Sequence, residues 1–244
     1  MTPPTGARPP RSWRALVAIG VLGLAAMLAF AALGAWQVER RAWKLGLIAR
    51  TGERLAAAPV PAPGPGEWAR VTRTRDEYRR VSLRGHYIGA ARTLVAASTE
   101  YGPGYWAMTP LRDDRGYMVL VNRGFVPSAA QRVAPPGEVR VVGLLRITEP
   151  GGDLLRSNAP AAGRWYSRDV AAIAAARHLS PVAPFFVDAD ATPNPGGYPI
   201  GGLTVVSFTN NHLVYAITWL TLMTMTAVAT TIGLRHEWRA WARR

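Results

Sequence analysis

The sequence predicts an integral membrane protein in which two transmembrane helices flank a β-rich α+β extracytoplasmic domain with mainly antiparallel strands. Residues 15–36 and 213–234 contain no Asp, Glu, Lys or Arg. At about 1.5 Å per residue, each stretch is long enough to cross a hydrocarbon core of about 30 Å. Between them lie short segments rich in β-branched and aromatic residues and bounded by Gly, Pro or Asp. Such segments are typical of strands.

The first apolar stretch has an alternative interpretation as a cleavable signal sequence, because Arg8, Arg11 and Arg14 precede it. The apolar region of a signal spans roughly 7–15 residues and ends in small side chains. Residues 15–36 are longer and end in Trp36, which favours an uncleaved anchor. The Pro- and Arg-rich residues 1–14 are predicted to form a disordered tail.

Basic residues around the second stretch predict the topology. Four arginines follow it, whereas no Lys or Arg lies between Arg177 and its start. The positive-inside rule then places residues 235–244 in the cytoplasm, together with residues 1–14. Residues 37–212 would face the periplasm or its topological equivalent. Arg40, Arg41 and Lys44 argue for the opposite orientation, but long loops cross membranes largely regardless of charge.

The loop begins with a predicted helical extension, residues 37–55, followed by a Pro/Gly linker at residues 58–66. The clearest strand pair is a hairpin around the turn residues 113–116. Ser167 is suited to cap a soluble helix from about Arg168 to His178. The predicted strands are residues 79–88, 92–98, 105–112, 117–126, 138–146 and 204–208.

Composition excludes several classes of function. The chain has no cysteine, which excludes disulfides, thiol catalysis and Cys-ligated metals. Its formal net charge is +14, yet only Lys44 among its 29 basic residues is lysine, and these residues form no dense cluster. The excess of arginine indicates a compositional bias and not a phosphate-binding surface, so we expect no nucleic-acid partner.

No catalytic residues are predicted. The only histidines of the loop before the membrane boundary are His86 and His178, and neither a G-x-S-x-G nor an H-E-x-x-H pattern accompanies them. A surface position explains His86, and a helix C-terminus explains His178. Asp188 and Asp190 form an acidic pair that could bind a cation, although a solvated loop end is the favoured interpretation.

The strongest candidate site begins at His212. At roughly 100° per residue, a stripe about 80° wide runs down the second apolar stretch. Such a face could hold a flat apolar macrocycle with His212 near its iron, and Arg40, Arg41 and Lys44 could pair with propionates if the two helices pack together. The alternative is an aromatic belt above a helix capped by Asn211 and His212. The stripe comprises His212, Tyr215, Trp219, Met223, Thr226 and Thr230.

Several segments in order resemble the SURF1 family of cytochrome c oxidase assembly factors, and the resemblance covers nearly the whole chain. One departure is Phe125, where family members commonly have Trp; it keeps an aromatic surface. The segments are LGAWQVERRAWK, GPGYWAMTPL, VNRGFVP, VVGLLR, RWYSRDVAAIA, APFFVDAD and GGLTVVSFTNNHLVYAITW.

The resemblance implies a two-span protein of the bacterial inner membrane that aids maturation of the oxidase core and is not an enzyme. Bacterial members are linked to binding haem a and presenting it to subunit I, and the histidine implicated there matches His212. The expected haem-a site therefore comprises His212 as iron ligand with Tyr215, Trp219, Arg40 and Arg41. Subunit I, haem-a synthase and lipid are the expected partners. A scaffold that holds subunit I or the synthase without touching haem is the alternative.

Overall fold

The computed structural model describes residues 12–128, 134–153, 155–206 and 208–242. The chain divides into two compact units. A helical unit comprises Met1–Ala49 with Ser207–Arg244, and a β unit comprises Arg50–Val206. The predicted tail at residues 1–14 falls mostly outside the described residues, as do the arginines at positions 8, 11, 243 and 244 that contributed to the predicted topology.

Two long helices correspond to the two predicted spans. Helix α1, Trp13–Ala56, contains the first apolar stretch and also the predicted extension at residues 37–55. Helix α4, His212–Ala242, contains the second stretch. Both are long and apolar enough to cross a membrane, by length and composition. Neither helix contains proline, and Pro59 follows the end of α1, which suits uninterrupted helices and a nearby stop.

The two helices pack antiparallel within the helical unit. Their less exposed residues recur at intervals of three and four, the spacing of a left-handed helix pair. The rings of Phe30 and Trp219 stack with centroids 5.8 Å apart. Small residues permit close approach, since a Cβ added at Gly34 would lie 3.7 Å from the Cβ of Trp219 and one at Gly23 would collide with Thr230.

The β unit is built from seven strands. They are β1 Val60–Pro61, β2 Arg80–Tyr87, β3 Thr93–Thr99, β4 Gly102–Asp113, β5 Met118–Val126, β6 Glu138–Ile147 and β7 Val182–Ala189. Their order in the sheet is β1-β2-β6-β7-β5-β4-β3, and β2 also pairs with β4. The strands β2, β6, β7, β5 and β4 therefore close into a barrel. Gly85 permits this closure at the β2–β4 contact, because a Cβ there would collide with the carbonyl group of Arg112.

Most neighbouring strands in the seven-stranded sheet are antiparallel, as predicted. The exceptions are the parallel pairs β1–β2 and β5–β7. Strands β2 to β6 coincide with five of the six predicted strands. The sixth, residues 204–208, is wrong, because residues 204–206 and 208 have no regular structure. Strand β7 was not predicted, and part of the predicted linker forms β1 and a short 3₁₀ helix, Pro65–Arg70.

The predicted soluble helix is shorter than expected. Helix α3 spans Val170–Ala176, and its cap is Asp169, whose carboxylate accepts a hydrogen bond from the Ala172 amide at 3.1 Å. The prediction of Ser167 as cap is wrong, because its hydroxyl accepts a hydrogen bond from the Asn158 side chain instead. A further short helix, α2, spans Arg73–Asp76 before β2.

Two apolar cores lie on opposite faces of the sheet. The interior core takes side chains from all five barrel strands, including Leu83, Leu111, Val121, Leu145 and Phe185. The second core lies under β3 and α3 and includes Val95, Leu120, Ile173 and Phe186. In β5, Val119 and Val121 belong to the interior core and Leu120 to the second core. Every residue of this strand is buried.

Candidate functional site

The candidate site of the helical unit is a histidine–glutamine pair at one end of the two packed helices. His212 is the first residue of α4, and its Nδ1 atom lies 2.7 Å from Oε1 of Gln37 on α1. An amide oxygen only accepts hydrogen bonds, so this contact has Nδ1 as the donor, and in the neutral imidazole that tautomer leaves the lone pair on Nε2. Metal-binding histidines typically donate their second ring N–H in this way. The contact is therefore compatible with a neutral imidazole whose Nε2 atom is free to bind a ligand.

Gln37 was not predicted as a site residue, although it is only 8% exposed. Gly34 follows Phe30 by four residues and Gln37 follows Gly34 by three, so all three lie on the face of α1 that meets α4. In the sequence, a neutral polar residue in line with the apolar stripe could have indicated that Gln37 faces the other helix. Its partner, however, depends on the register between two helices that are distant in sequence.

An apolar groove of about 360 Å³ lies between the same two helices. Four of its lining residues are Gly or Ala, which leave the helix surfaces open, and Met223 of the predicted stripe is another. Ala216 follows His212 by one turn, and Gly34 precedes Gln37 by about one turn, so the groove continues from the histidine–glutamine pair. Its lining is Phe30, Ala31, Gly34, Ala35, Val38, Ala216, Ile217, Leu220 and Met223.

The aromatic residues of the predicted stripe occupy different environments. Trp219 stacks on Phe30, and its Nε1 atom is buried without a hydrogen-bond partner among the described residues. Tyr215 is 54% exposed, and Ala216 takes its place on the face toward α1. Of the two aromatic residues in the predicted stripe, Trp219 therefore faces α1 and Tyr215 does not.

The predicted propionate partners lie one turn beyond Gln37 on α1. The guanidinium of Arg40 is positioned over the Trp43 ring, 4.0 Å from its centroid. Arg41 is half-buried and continues the Gln37 stripe at the next turn. The described contact of the His212 imidazole is with α1 and not with the first turn of α4. A residue that only capped α4 would instead bond to that first turn.

A second polar cluster lies in the β unit around Asp188, near the end of β7. This carboxylate is 3% exposed. It accepts hydrogen bonds from Asn122 at 2.8 Å, Arg146 at 2.7 Å, Arg168 at 3.2 Å and Thr204 at 2.8 Å. Both earlier interpretations of Asp188, a solvated loop end and a cation ligand, are wrong, because the side chain is buried and its oxygens are occupied by arginines.

Further carboxylates complete this Asp188 cluster. Glu77 accepts from Arg146 at 2.8 Å, and Glu149 binds Arg168 through both of its oxygens. Burial lowers the pKa of Arg146, but Asp188 and Glu77 outweigh that effect and raise it above its usual value. The guanidinium therefore stays charged, and the cluster joins β6, β7 and the start of α3 through ionised pairs.

The remaining candidates do not gather into a catalytic arrangement. His86 on β2 and His178 after α3 are both exposed. Within the described ranges, no group of three or more His, Asp or Glu side chains could hold a metal ion. In the part of the chain that the structure describes, the His212–Gln37 pair combines a possible ligand atom with an adjacent apolar surface.

These features define a class of protein: a closed, five-stranded β barrel encoded between two candidate membrane-spanning helices, with a polar pair where those helices meet. Residues 24–224 match the SURF1 family, and the chain belongs to this family. Membership implies a role in the assembly of cytochrome c oxidase, and the resemblance seen in the sequence is confirmed.

Relatives from distant organisms support the assignment. Surfeit locus protein 1 of Mus musculus is 36% identical over 218 residues, which cover 80% of this chain and 69% of the relative. The Homo sapiens protein of the same name is 36% identical over 221 residues, covering 80% and 70%. A SURF1-like protein of Monosiga brevicollis is 35% identical over 229 residues, covering 84% and 83%.

Proposed function

We propose that this protein binds haem a between its two helices and delivers it to subunit I of cytochrome c oxidase. His212 would ligate the iron through Nε2. The observation that carries the proposal is the hydrogen bond from His212 Nδ1 to Gln37. It orients the ring and leaves the second nitrogen available as an acceptor.

The apolar surroundings of the pair support this proposal. The groove beside it presents small and aliphatic side chains, and the ring of Phe30 forms one wall. Trp219 and Tyr215 would supply aromatic surface and hydrogen-bonding atoms near the ligand. Arg40 and Arg41 would pair with the propionates, since guanidinium groups bind carboxylates with two parallel hydrogen bonds.

Bound haem a would supply the iron and the apolar ring that the oxidase requires, and the chain would only hold and release it. A single histidine ligand from this chain suits transfer, because a carrier must bind less tightly than the site that receives the cargo. On this basis the protein is a non-catalytic assembly factor. Its partners would be subunit I, haem-a synthase and lipid.

The location follows from the same proposal. The two helices would cross the bacterial inner membrane with both termini in the cytoplasm. Residues 37–212 would face the periplasm, which places His212 at the outer end of α4. Arg235 and Arg239 follow the apolar part of α4 and support this orientation.

The test uses full-length protein co-expressed with haem-a synthesis and purified in a neutral detergent. Bound pigment is measured by absorption spectroscopy and by extraction. His212→Ala should lose most of its haem a. Gln37→Ala should retain the ligand but bind it roughly 10–100-fold more weakly, as expected when the group that orients a metal-binding histidine is removed.

His86→Ala is the matched control, because His86 is an exposed histidine of the β unit; it should match the wild type. If His212→Ala purifies with wild-type haem content and absorbance, His212 is not a principal ligand. If His212→Ala also leaves oxidase assembly intact in cells, the scaffold alternative replaces the carrier. In that case substitutions within Gly102–Leu111 or Val121–Pro127 should abolish capture of the oxidase subunit.

A further inference from the structure

The end of the helical unit that lies away from His212 is rich in positive charge. Helices α1 and α4 are antiparallel, and a Cβ added at Gly20 would lie 3.9 Å from Cδ1 of Leu234. The beginning of α1 and the last turns of α4 therefore lie at the same end of this unit. In the sequence, residues 1–20 and 234–244 contain seven arginines, and Glu237 is their one acidic residue. This end should therefore attract anions.

Two of these arginines and a histidine line one recess along α4, with a volume of about 420 Å³. Arg235 and Arg239 are one turn apart on the same face of the helix, and His236 lies beside them. All three side chains are exposed, whereas Glu237 is half-buried. None of the described lining residues is acidic. The described lining is Ile232, Arg235, His236, Arg239 and Ala240.

The recess lies where the second apolar stretch ends. Residues 213–234 are uncharged, so Ile232 belongs to the apolar part of α4 and Arg235 is the first charged residue after it. The exposed rings of Trp13 and Trp238 lie at the same end of the helical unit. Tryptophan rings and arginines that follow an apolar helix in this way are typical of the headgroup region of a bilayer. The surroundings of the recess therefore indicate a phospholipid as its occupant.

We propose that Arg235, His236 and Arg239 bind the headgroup phosphate of an anionic phospholipid; this inference rests on the membrane location proposed above. Guanidinium groups bind phosphate oxygens through paired N–H donors, and imidazole has an N–H donor in both its neutral and its charged form. A zwitterionic headgroup carries its own cation, which the two arginines repel. The recess therefore selects lipids with a net negative charge.

This lipid site is separate from the proposed haem site. His212 begins α4, and Arg235 lies near its other end. At about 1.5 Å per residue, the two side chains emerge about 35 Å apart along the helix axis. Lipid selection and haem binding can therefore be tested independently on the same protein.

The test measures which lipids the full-length protein retains. Protein in a neutral detergent is mixed with equimolar phosphatidylglycerol and phosphatidylcholine of identical acyl chains, and the bound lipids are counted by native mass spectrometry. The wild type should prefer phosphatidylglycerol. Arg235→Gln and Arg239→Gln should each lower this preference about fivefold, the attraction expected for one arginine near a lipid surface, and the double variant should lower it about 25-fold.

Arg164→Gln is the matched control, because it removes the charge of an exposed arginine in the β unit; it should keep the wild-type lipid preference. Equal retention of both lipids by the wild type overturns the proposal, and so does an undiminished preference in the double variant. Displacement of phosphatidylglycerol by inorganic phosphate also overturns it, because the recess would then bind the free anion. Wild-type protein that prefers phosphatidylglycerol but holds no haem contradicts the haem carrier and supports the lipid site.

Discussion

Replacing Asp188 with alanine should destabilise the β unit strongly. The substitution removes the carboxylate that accepts hydrogen bonds from Arg146 and Arg168, and both arginines are mostly buried, with 12% and 14% of their side chains exposed. Two guanidinium groups would then face each other without the anion between them. Breaking a buried ion pair by removing one partner typically costs about 3–5 kcal/mol.

The structure places the expected cost near the lower end of that range. Arg146 keeps Glu77, and Arg168 keeps Glu149, so neither cation is left alone. We therefore expect a loss of about 3 kcal/mol in the free energy of unfolding. For a unit of this size, each kcal/mol lowers the melting temperature by roughly 2–4 °C, which gives a decrease of about 6–12 °C.

The assay is thermal unfolding of the full-length protein in detergent, followed by the circular dichroism of the β sheet. Glu138→Gln is the control. It removes an ion pair with Arg84 in which the side chains are 49% and 72% exposed, and such pairs contribute about 0–1 kcal/mol. If Asp188→Ala lowers the melting temperature no more than Glu138→Gln does, the buried cluster does not stabilise the barrel as argued.

Three further outcomes are expected. Gly34→Cys combined with Trp219→Cys should form a disulfide in this cysteine-free chain, because the two Cβ positions lie 3.7 Å apart. Disulfide formation is measured by gel electrophoresis, and Gly34→Cys with Gly233→Cys is the negative control. Equal disulfide formation in the two double variants would refute the alignment of the two helices. Gly124→Ala should cost about 1–3 kcal/mol in denaturant unfolding, since Gly124 has φ +122 and a Cβ would collide with the carbonyl group of Ile200. Burial raises the pKa of Tyr87 to about 12; the folded state thus keeps the phenol proton longer, and stability should fall between pH about 10 and 12. Burial raises the pKa of Tyr117 to about 12 as well, so Tyr87→Phe should lessen the alkaline loss and reduce the absorbance change at 295 nm near pH 12 without abolishing it. A reduction near pH 10 instead would contradict the burial of the Tyr87 hydroxyl.

The hairpin and the two long helices were predictable because local sequence determines them. Turn residues separate β4 from β5, and the uncharged stretches require no distant partner to be recognised. Strand β7 lacked such a signal. Its residues 185–188 are all buried and therefore show no alternation, and the strand contains Pro184, which is unusual within a sheet.

The segment around Thr204 shows the opposite error. Its β-branched residues favour a strand locally, yet the Thr204 hydroxyl binds Asp188 and the neighbouring Ile200 pairs with Phe125. These long-range contacts hold the segment in an irregular path. Strand propensity is weak compared with such context.

The candidate site was only half visible in the sequence. His212 is conspicuous as a histidine at the edge of an apolar stretch. Its partner Gln37 lies 175 residues away, and the pairing depends on how the two helices align along each other. The burial of Arg123 was equally hidden, because burial of an arginine side chain is set by tertiary packing.

The place of β7 in the barrel also constrains the order of events during synthesis. It is the last of the described strands, yet it lies between β5 and β6, pairing with β5 in parallel and with β6 antiparallel. Until residues 182–189 leave the ribosome, β5 and β6 each present an unpaired edge, the kind of surface that invites aggregation. Only 22 residues separate the end of β7 from the start of α4 at His212. Completion of the barrel and emergence of the second helix are therefore nearly simultaneous, so a nascent chain stalled shortly before β7 should be especially prone to misfolding.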